Sequence, residues 1–149
     1  MRGTQRRHRI IAASADEAWA VVRRADLLHL WFPGIDSCTV EGDVRTIVTG
    51  VGLPIPEQIL ACDDIQRRFQ YRITAPLFRE HLGTIDVLPL DEASCLVIYS
   101  SDVEPAALAL VLGGATQGAL DELARQLEAG AGPAVDAVRP SPDPAEEVA

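Results

Sequence analysis

The hydrophobic positions of the chain change their period twice, and these changes predict the order of its elements. Residues 4–13 alternate loosely between polar and apolar side chains, which is typical of a first strand. Ser14 and Glu17 then have the spacing of a capping box in front of a short amphipathic helix. A second short segment, LLHLWF, ends at the helix-stopping pair Pro33 and Gly34. The pattern therefore predicts two short helices after the first strand.

From residue 37 to residue 103 the pattern is that of consecutive strands. The stretch SCTVEGDVRTIVTG predicts two strands around a turn at Gly42 and Asp43, and four further strand segments follow. Residues 106–128 then return to a helical period. Its predicted inward stripe consists of Leu108, Leu112, Thr116, Leu120, Leu123 and Leu127. This order predicts an α+β fold in which a curved antiparallel sheet of about seven strands wraps around a long C-terminal helix.

The chain changes character at Gly130. Residues 130–149 contain four prolines, few large apolar side chains, and one arginine against four acidic residues. Such a segment buries too little apolar surface to offset the entropy lost on ordering. We predict one ligand-binding domain over residues 1–129 and a disordered tail over residues 130–149, whose removal leaves stability unchanged.

Composition excludes several classes of function. The net charge of −9 argues against nucleic-acid binding, which needs clustered positive charge. No apolar run approaches the roughly 18 residues of a membrane span, and the apolar part of the N-terminus is too short for a signal peptide. We expect a cytoplasmic protein without membrane integration. The cysteines, Cys38, Cys62 and Cys95, are far apart and predict neither a metal site nor a cofactor.

The long helix carries Gly113, Gly114 and Gly118, although each glycine costs a helix roughly 0.5–1 kcal/mol relative to alanine. Val111, Ala115 and Ala119 would form a second row of small side chains beside the leucine stripe. Two interpretations remain open. Either the small residues leave space for a ligand, or the glycines mark a kink or a close approach of the helix to the sheet.

The segment ASADEAWAVVRRADLLHLWFPGIDSCTVEGDVRTI resembles the opening of the START-like superfamily (SRPBCC). That superfamily includes the polyketide cyclase/dehydrase and lipid-transport family and the Bet v 1-like pollen allergens. The resemblance covers residues 1 to about 128. It implies a helix-grip fold around an elongated hydrophobic cavity.

A narrower resemblance concerns VRTIVTGVGLP, residues 44–54, which is similar to the strand and gate loop of the plant abscisic-acid receptors. In those receptors a valine–arginine pair is followed by glycine–leucine–proline and then by a glutamate, which here corresponds to Glu57. The receptors' buried lysine has no counterpart. The resemblance therefore implies a mobile loop at the mouth of the cavity, with Leu53 as an apolar lid, and it does not imply hormone binding.

Alternation along the strands selects the polar candidates. Arg45 is in phase with Ile47, so an inward Arg45 needs a partner, and Glu57 on the next strand is the candidate. The alternative is an exposed pair of little energetic weight. Tyr71 and Tyr99 alternate with apolar residues and are expected to point inward. The full predicted ligand-binding set is Trp31, Arg45, Ile47, Leu53, Pro54, Glu57, Tyr71, Ile73, Phe78, His81, Tyr99, Val111, Ala115 and Ala119.

Three functions are compatible with these residues. The first is a non-catalytic binder or carrier of a small hydrophobic molecule, such as a lipid or a polyketide-like metabolite. The second is an aromatase/cyclase-type enzyme that uses Arg45, Tyr71 and His81 for proton transfer and enolate stabilisation. The third is a protein interaction domain with an incidental cavity. No nucleophile motif or phosphate loop is present, so catalytic residues are not assigned.

Overall fold

A computed structural model of the chain describes residues 1–141. The chain runs through β1 (Gly3–Ile11), α1 (Ala15–Val22) and a 3-10 helix (Ala25–Leu30). It continues through β2 (Ile35–Glu41), β3 (Val44–Thr49), β4 (Pro54–Asp63), β5 (Arg68–Ile73), β6 (Glu80–Asp91) and β7 (Ser94–Glu104). It ends with α2 (Leu108–Ala129) and α3 (Pro133–Val138). This order confirms the predicted α+β helix-grip architecture.

The strands form one antiparallel sheet in the order β1-β7-β6-β5-β4-β3-β2. The first strand therefore pairs with the last, while β2 to β7 follow one another as a meander. Because neighbouring strands alternate in direction, the β3–β4 loop, the β5–β6 loop and the β7–α2 connection lie along the same edge of the sheet. That edge is called here the loop edge.

Local sequence explains where α1 begins. The Ser14 side chain accepts a hydrogen bond from the Glu17 amide, and the Glu17 carboxylate accepts one from the Ser14 amide. Both bonds satisfy amides that the first helical turn leaves free. The predicted capping box is confirmed, and it turns the chain from β1 into the helical layer.

The concave face of the sheet is covered by α1, α2 and the 3-10 helix, and α1 packs on β6 and β7. Helix α2 packs on β1 and β7, and the 3-10 helix packs on β2 and, more lightly, on β3. The buried side of α2 includes Thr116, Ala119, Leu120, Leu123 and Leu127, in agreement with most of the predicted stripe. The middle of the sheet, at β4 and β5, therefore lies between α1 and α2 on one side and the 3-10 helix on the other.

The glycines of α2 support the interpretation of close approach at one position. A Cβ atom at Gly113 would lie 2.8 Å from Nη2 of Arg7 and 3.6 Å from Cβ of Gln5, both on β1. Gly114 and Gly118 have open space where their side chains would be. Gly113 thus lets the first half of α2 settle on β1, and the other two glycines open no interior volume behind the helix.

The predicted disordered tail is wrong for residues 133–138, which form α3. Ala134 is fully buried, and its amide donates a 2.8 Å hydrogen bond to Oε1 of Gln126 on α2. The Gln126 amide group donates in turn to the Leu30 carbonyl oxygen at 2.9 Å. Small apolar side chains around Pro133 were sufficient to form a helical turn because a buried glutamine was available as its anchor. Residues 142–149 lie outside the described residues.

Across residues 1–141, no helix is both long enough and apolar enough to span a membrane.

We predict that deleting residues 132–149 lowers the free energy of unfolding by about 1–3 kcal/mol. The deletion exposes the surface that Ala134 covers and leaves the buried Oε1 atom of Gln126 without its donor. Chemical denaturation of the full chain and the truncated chain measures the difference. The control is deletion of residues 142–149 alone, which keeps α3 and its hydrogen bond to Gln126. Equal stability of all three proteins would show that α3 contributes nothing to the fold.

Candidate functional site

An ion pair lies at the centre of the concave face. Arg45 on β3 and Glu57 on β4 are directly opposite each other in the antiparallel register. The Arg45 Nε atom donates to Oε2 of Glu57 at 2.5 Å, and the two side chains are only 2% and 3% exposed. The inward alternative of the sequence prediction is therefore confirmed, and the exposed alternative is excluded.

The surroundings of the guanidinium are aromatic. The Arg45 Cζ atom lies 4.9 Å from the centroid of the Tyr71 ring and 5.2 Å from that of Phe69, within the range of cation–π attraction. Its Nη1 atom approaches the Ala25 carbonyl oxygen at 3.5 Å. Its Nη2 atom is buried without a hydrogen-bond partner. Burial raises the pKa of Glu57 and Arg45 offsets part of that effect, while Glu57 keeps the pKa of Arg45 above its ordinary value despite burial.

Two buried tyrosines lie beside the ion pair. The hydroxyl groups of Tyr71 on β5 and Tyr99 on β7 are 2.7 Å apart and hydrogen-bond to each other. Burial raises the pKa of Tyr71 well above its ordinary value and raises that of Tyr99 to about 12. Both hydroxyls are therefore protonated at physiological pH, and they can donate or accept hydrogen bonds.

Trp31 closes the cluster from the end of the 3-10 helix. It is 2% exposed, and its ring centroid lies 6.4 Å from that of Tyr99. Its Nε1 atom has no hydrogen-bond partner. Buried indole nitrogens normally find an acceptor, so this donor is unusual. The described residues contain three other buried side-chain atoms without a partner, on His29, Arg45 and His81.

His81 on β6 contacts the cluster through Tyr71, at 5.3 Å between ring centroids. Its Nδ1 atom accepts a 3.1 Å hydrogen bond from the Ile73 amide, which places the proton of the neutral ring on Nε2. Burial, together with the charge of Arg72, lowers the pKa of His81 to about 4. The ring is consequently neutral at pH 7.

The structure sorts the predicted residues into three groups. Those that line the concave face or contact the cluster are Trp31, Arg45, Ile47, Glu57, Tyr71, Ile73, Phe78, His81 and Tyr99. Ala119 is also buried, and it lies on α2, which packs on β1 and β7. Leu53, at 58% exposure, and Pro54 lie on the surface at the loop edge, as members of a gate loop would.

The inward orientation predicted for Val111 and Ala115 is wrong. Val111 is 70% exposed and Ala115 is also exposed, so these two positions face solvent while Ala119 is buried. The Gly113 and Thr116 side of the helix faces β1, where the Thr116 hydroxyl oxygen lies 3.2 Å from Oε1 of Gln5 and 2.9 Å from the Leu112 carbonyl oxygen of its own helix. The rotation of α2 is therefore tied to its contacts with the edge strand, and small residue size alone did not reveal it.

Sequence reasoning missed Gly83, which positions the tyrosine pair. A Cβ atom at Gly83 would collide with the Tyr71 ring, because Gly83 lies directly opposite Tyr71 in the β5–β6 register. The available signal was a glycine in the middle of a strand, which often marks a close approach. Phe69 and Phe32 were also missed. Phe32 packs edge-on against Tyr99 at 6.2 Å.

A model of one protein family, polyketide cyclase / dehydrase and lipid transport, matches residues 3–130. The chain belongs to this family. The match covers the whole sheet and α2, so every residue of the cluster lies within the family domain. No curated protein matches the chain by sequence.

Solved structures agree with this assignment. The protein XoxI from Bacillus cereus is 23% identical with a TM-score of 0.77, over 84% of this chain and 95% of its own. A START superfamily protein from Mycobacterium smegmatis is 15% identical with a TM-score of 0.73, over 85% and 97%. Norcoclaurine synthase from Thalictrum flavum, in complex with dopamine and hydroxybenzaldehyde, is 20% identical with a TM-score of 0.67, over 84% and 86%. At these identities the similarities show the fold.

We predict that Glu57→Gln lowers the free energy of unfolding by about 3–5 kcal/mol, because it leaves the Arg45 charge buried without a counterion. The double variant Arg45→Met/Glu57→Leu should lose less than Glu57→Gln, since it removes both charges. Urea denaturation of these variants, together with the single variants Arg45→Met and Glu57→Leu, gives the coupling energy of the pair. Asp86→Asn is the control, because it breaks the more exposed ion pair with Arg68 and should cost about 1 kcal/mol or less. Equal losses in the two pairs would contradict a dominant buried interaction.

A second prediction concerns acid. The His81 pKa of about 4 in the folded protein lies below the unfolded value of about 6.5, so folding favours the neutral ring. The resulting stability is complete above about pH 6.5 and is lost as the pH falls toward 4, at up to about 1.4 kcal/mol per pH unit.

Unfolding free energies measured from pH 7 to 4 test this. His81→Gln should flatten the slope, whereas His8→Gln, at an exposed position on β1, should keep the wild-type slope because His81 is intact. If His81→Gln and the wild type lose stability in parallel, His81 does not titrate as described.

Proposed function

We propose that the protein binds a small, largely apolar molecule in its interior, between the concave face of the sheet and the helices that cover it. The observation that carries the proposal is a pair of buried donors without partners, Nε1 of Trp31 and Nη2 of Arg45. They belong to one aromatic cluster that also contains the Tyr71–Tyr99 pair. Leaving such donors unsatisfied costs about 1–3 kcal/mol each, which a ligand acceptor would recover.

The chemistry of the cluster defines the ligand class. Trp31 and Arg45 offer N–H donors, and the tyrosine pair adds the one O–H proton that is not used between the two hydroxyls. The remaining surface is made of aromatic rings and branched apolar side chains such as Ile47 and Ile73. This combination suits an apolar, preferably aromatic, molecule that carries a carbonyl or phenolic oxygen. Norcoclaurine synthase, a protein of the same fold, has been solved with dopamine and hydroxybenzaldehyde.

The proposal includes the β3–β4 loop as a gate to the interior site. Val51 and Leu53 in the β3–β4 loop are 88% and 58% exposed, although both are apolar. Gly52 has a φ of 78°, and its amide bonds to the Thr49 carbonyl, so a tight turn presents Leu53 at the loop edge. Closure of this turn over a bound ligand would bury Leu53 and exclude water.

A cyclase-type reaction is the second candidate, favoured by the two protonated tyrosines, which can donate to a developing enolate oxygen. The groups that could act as a general base for proton abstraction are less suitable. Nδ1 of His81 is occupied by the Ile73 amide, and Glu57 is engaged by Arg45. The neutral His81 ring has no free basic lone pair, and the charge of Glu57 is neutralised by Arg45, so the arrangement supports binding better than catalysis.

The test compares two probes of nearly the same shape, 2-acetonaphthone and 2-ethylnaphthalene, of which only the first has a carbonyl oxygen. We expect 2-acetonaphthone to bind at least tenfold more tightly by isothermal titration calorimetry, because only it satisfies the buried donors. Trp31→Phe keeps an aromatic ring and removes Nε1, so it should reduce the tenfold preference.

Trp19→Phe is the matched control. The Trp19 Nε1 atom already donates to Asp64 at 2.9 Å, outside the cluster, and its loss should leave the preference intact. Equal affinity for the two probes would remove the donor argument. Failure of both probes to bind would reject an interior ligand site of this class.

A further inference from the structure

The convex face of the sheet has no covering element within residues 1–141, because the helices pack on the concave face. Side chains alternate between the two faces along each strand. On β1, for example, Gln5 and Ile11 are buried on the concave side, whereas His8 and Ile10 are exposed on the convex side. The convex side of β1, β7, β6 and β5 is called here the convex panel.

One end of the convex panel is apolar. The register places Ile10 of β1 and Leu88 of β6 on either side of Leu96 of β7, so the three side chains form one row across the sheet. Ile10 is 64% exposed and Leu88 is 42% exposed. Contiguous apolar side chains on an exposed face are typical of an interaction surface.

The two flanks of β7 differ in charge. In the row next to the apolar one, Ile98 of β7 lies between His8 on β1 and Asp86 on β6. Arg6 is exposed two residues before His8, and within residues 1–141 it forms no ion pair. The β1 flank therefore carries hydrogen-bond donors and an unpaired positive charge.

The β6 flank contains an acidic groove beside Leu88. The groove has a volume of about 400 Å³, and the side chains that line it include Asp63, Asp86 and Arg68. Arg68 pairs with Asp86 at 2.7 Å, so the two carboxylates share one arginine. A carboxylate accepts several hydrogen bonds, and both aspartates can take a further donor.

The two flanks are complementary to each other about one axis. A two-fold axis that runs along β7, between two facing convex panels, places β1 of each copy over β6 of the other and keeps each row opposite itself. Ile10 then meets Leu88 of the partner subunit, and His8 meets Asp86 of the partner subunit. An axis across the strands would instead place β1 over β1 and bring the basic residues of both copies together.

We propose that two copies of this chain associate through their convex panels about the axis along β7. Apolar contacts form the centre, and the basic flank of each copy faces the acidic groove of the other. Four strands about 4.8 Å apart and four rows about 6.8 Å apart give a panel of roughly 500 Å² per copy, the size of a weak, transient interface. The interior site of the proposed function lies on the other face of the sheet, so the two proposals can fail independently.

Sedimentation equilibrium of the unmodified protein tests self-association without any variant. The average mass should rise from the 16.0 kDa of one chain toward twice that value. We expect this rise between about 10 μM and about 1 mM protein, as for a weak interface. Amide NMR shifts that change with concentration should lie on β1, β6 and β7. A mass that stays at that of one chain throughout overturns the proposal.

Variants of opposite charge test the axis. Ile10→Lys and Leu88→Glu should each weaken self-association at least tenfold, because each places a charge in the apolar centre. An equimolar mixture of the two should restore dimers. The introduced lysine and glutamate face each other at one contact, and Ile10 and Leu88 remain at the other.

Leu110→Lys is the matched control, since Leu110 is an apolar residue of α2 that is 83% exposed and lies outside the convex panel. It should leave the association unchanged. Circular dichroism checks that all variants are folded. The proposal is overturned if the folded mixture stays monomeric, or if Leu110→Lys weakens the association as much as Ile10→Lys does.

Discussion

The buried ion pair between Arg45 and Glu57 determines what kind of interior this protein has. Removing two charges from water is costly, and the attraction between them repays that cost only when the remaining polar atoms are also satisfied. Here the Ala25 carbonyl and the rings of Phe69 and Tyr71 share that task. The centre of the concave face is consequently polar and charged, whereas the core beneath Leu120 and Leu123 of α2 is apolar.

The elements that cover the concave face reflect this difference in polarity. Where α2 meets β1 and β7, Leu120 and Leu123 pack against apolar strand residues in an ordinary close-packed core. The first half of α2 instead makes a polar contact, from Thr116 to Gln5, on the edge strand. Trp31, at the end of the 3-10 helix, then covers the cluster from the other side. The unpartnered donors Nε1 of Trp31 and Nη2 of Arg45 both belong to this cluster.

Most of the fold was predictable from the sequence because its signals are local. The capping box at Ser14, the turn at Gly42 and the alternation that turns Arg45 inward all act over a few residues, and the structure confirms them. The failures involve long-range partners. The exposure of Val111 depends on how α2 rotates against Gln5, more than one hundred residues away. Helix α3 depends on the buried Gln126, whose side chain both holds Ala134 and reaches Leu30, and no local pattern announces that role.

Tyr71 takes part both in the interior cluster and in the place where the pairing between β5 and β6 ends. To hydrogen-bond with Tyr99 on β7, the Tyr71 side chain must extend from β5 across β6, a span of roughly two strand spacings of about 4.8 Å. Gly83 is the residue of β6 beneath that path, and a Cβ atom there would block the ring. The Tyr71–Gly83 pair is also the last rung of the β5–β6 ladder, and beyond it the side chain of His81 replaces the missing backbone bonds. The same ring lies against Arg45 on one side and His81 on the other, so the polarity of the interior and the opening of the sheet both rest on this residue.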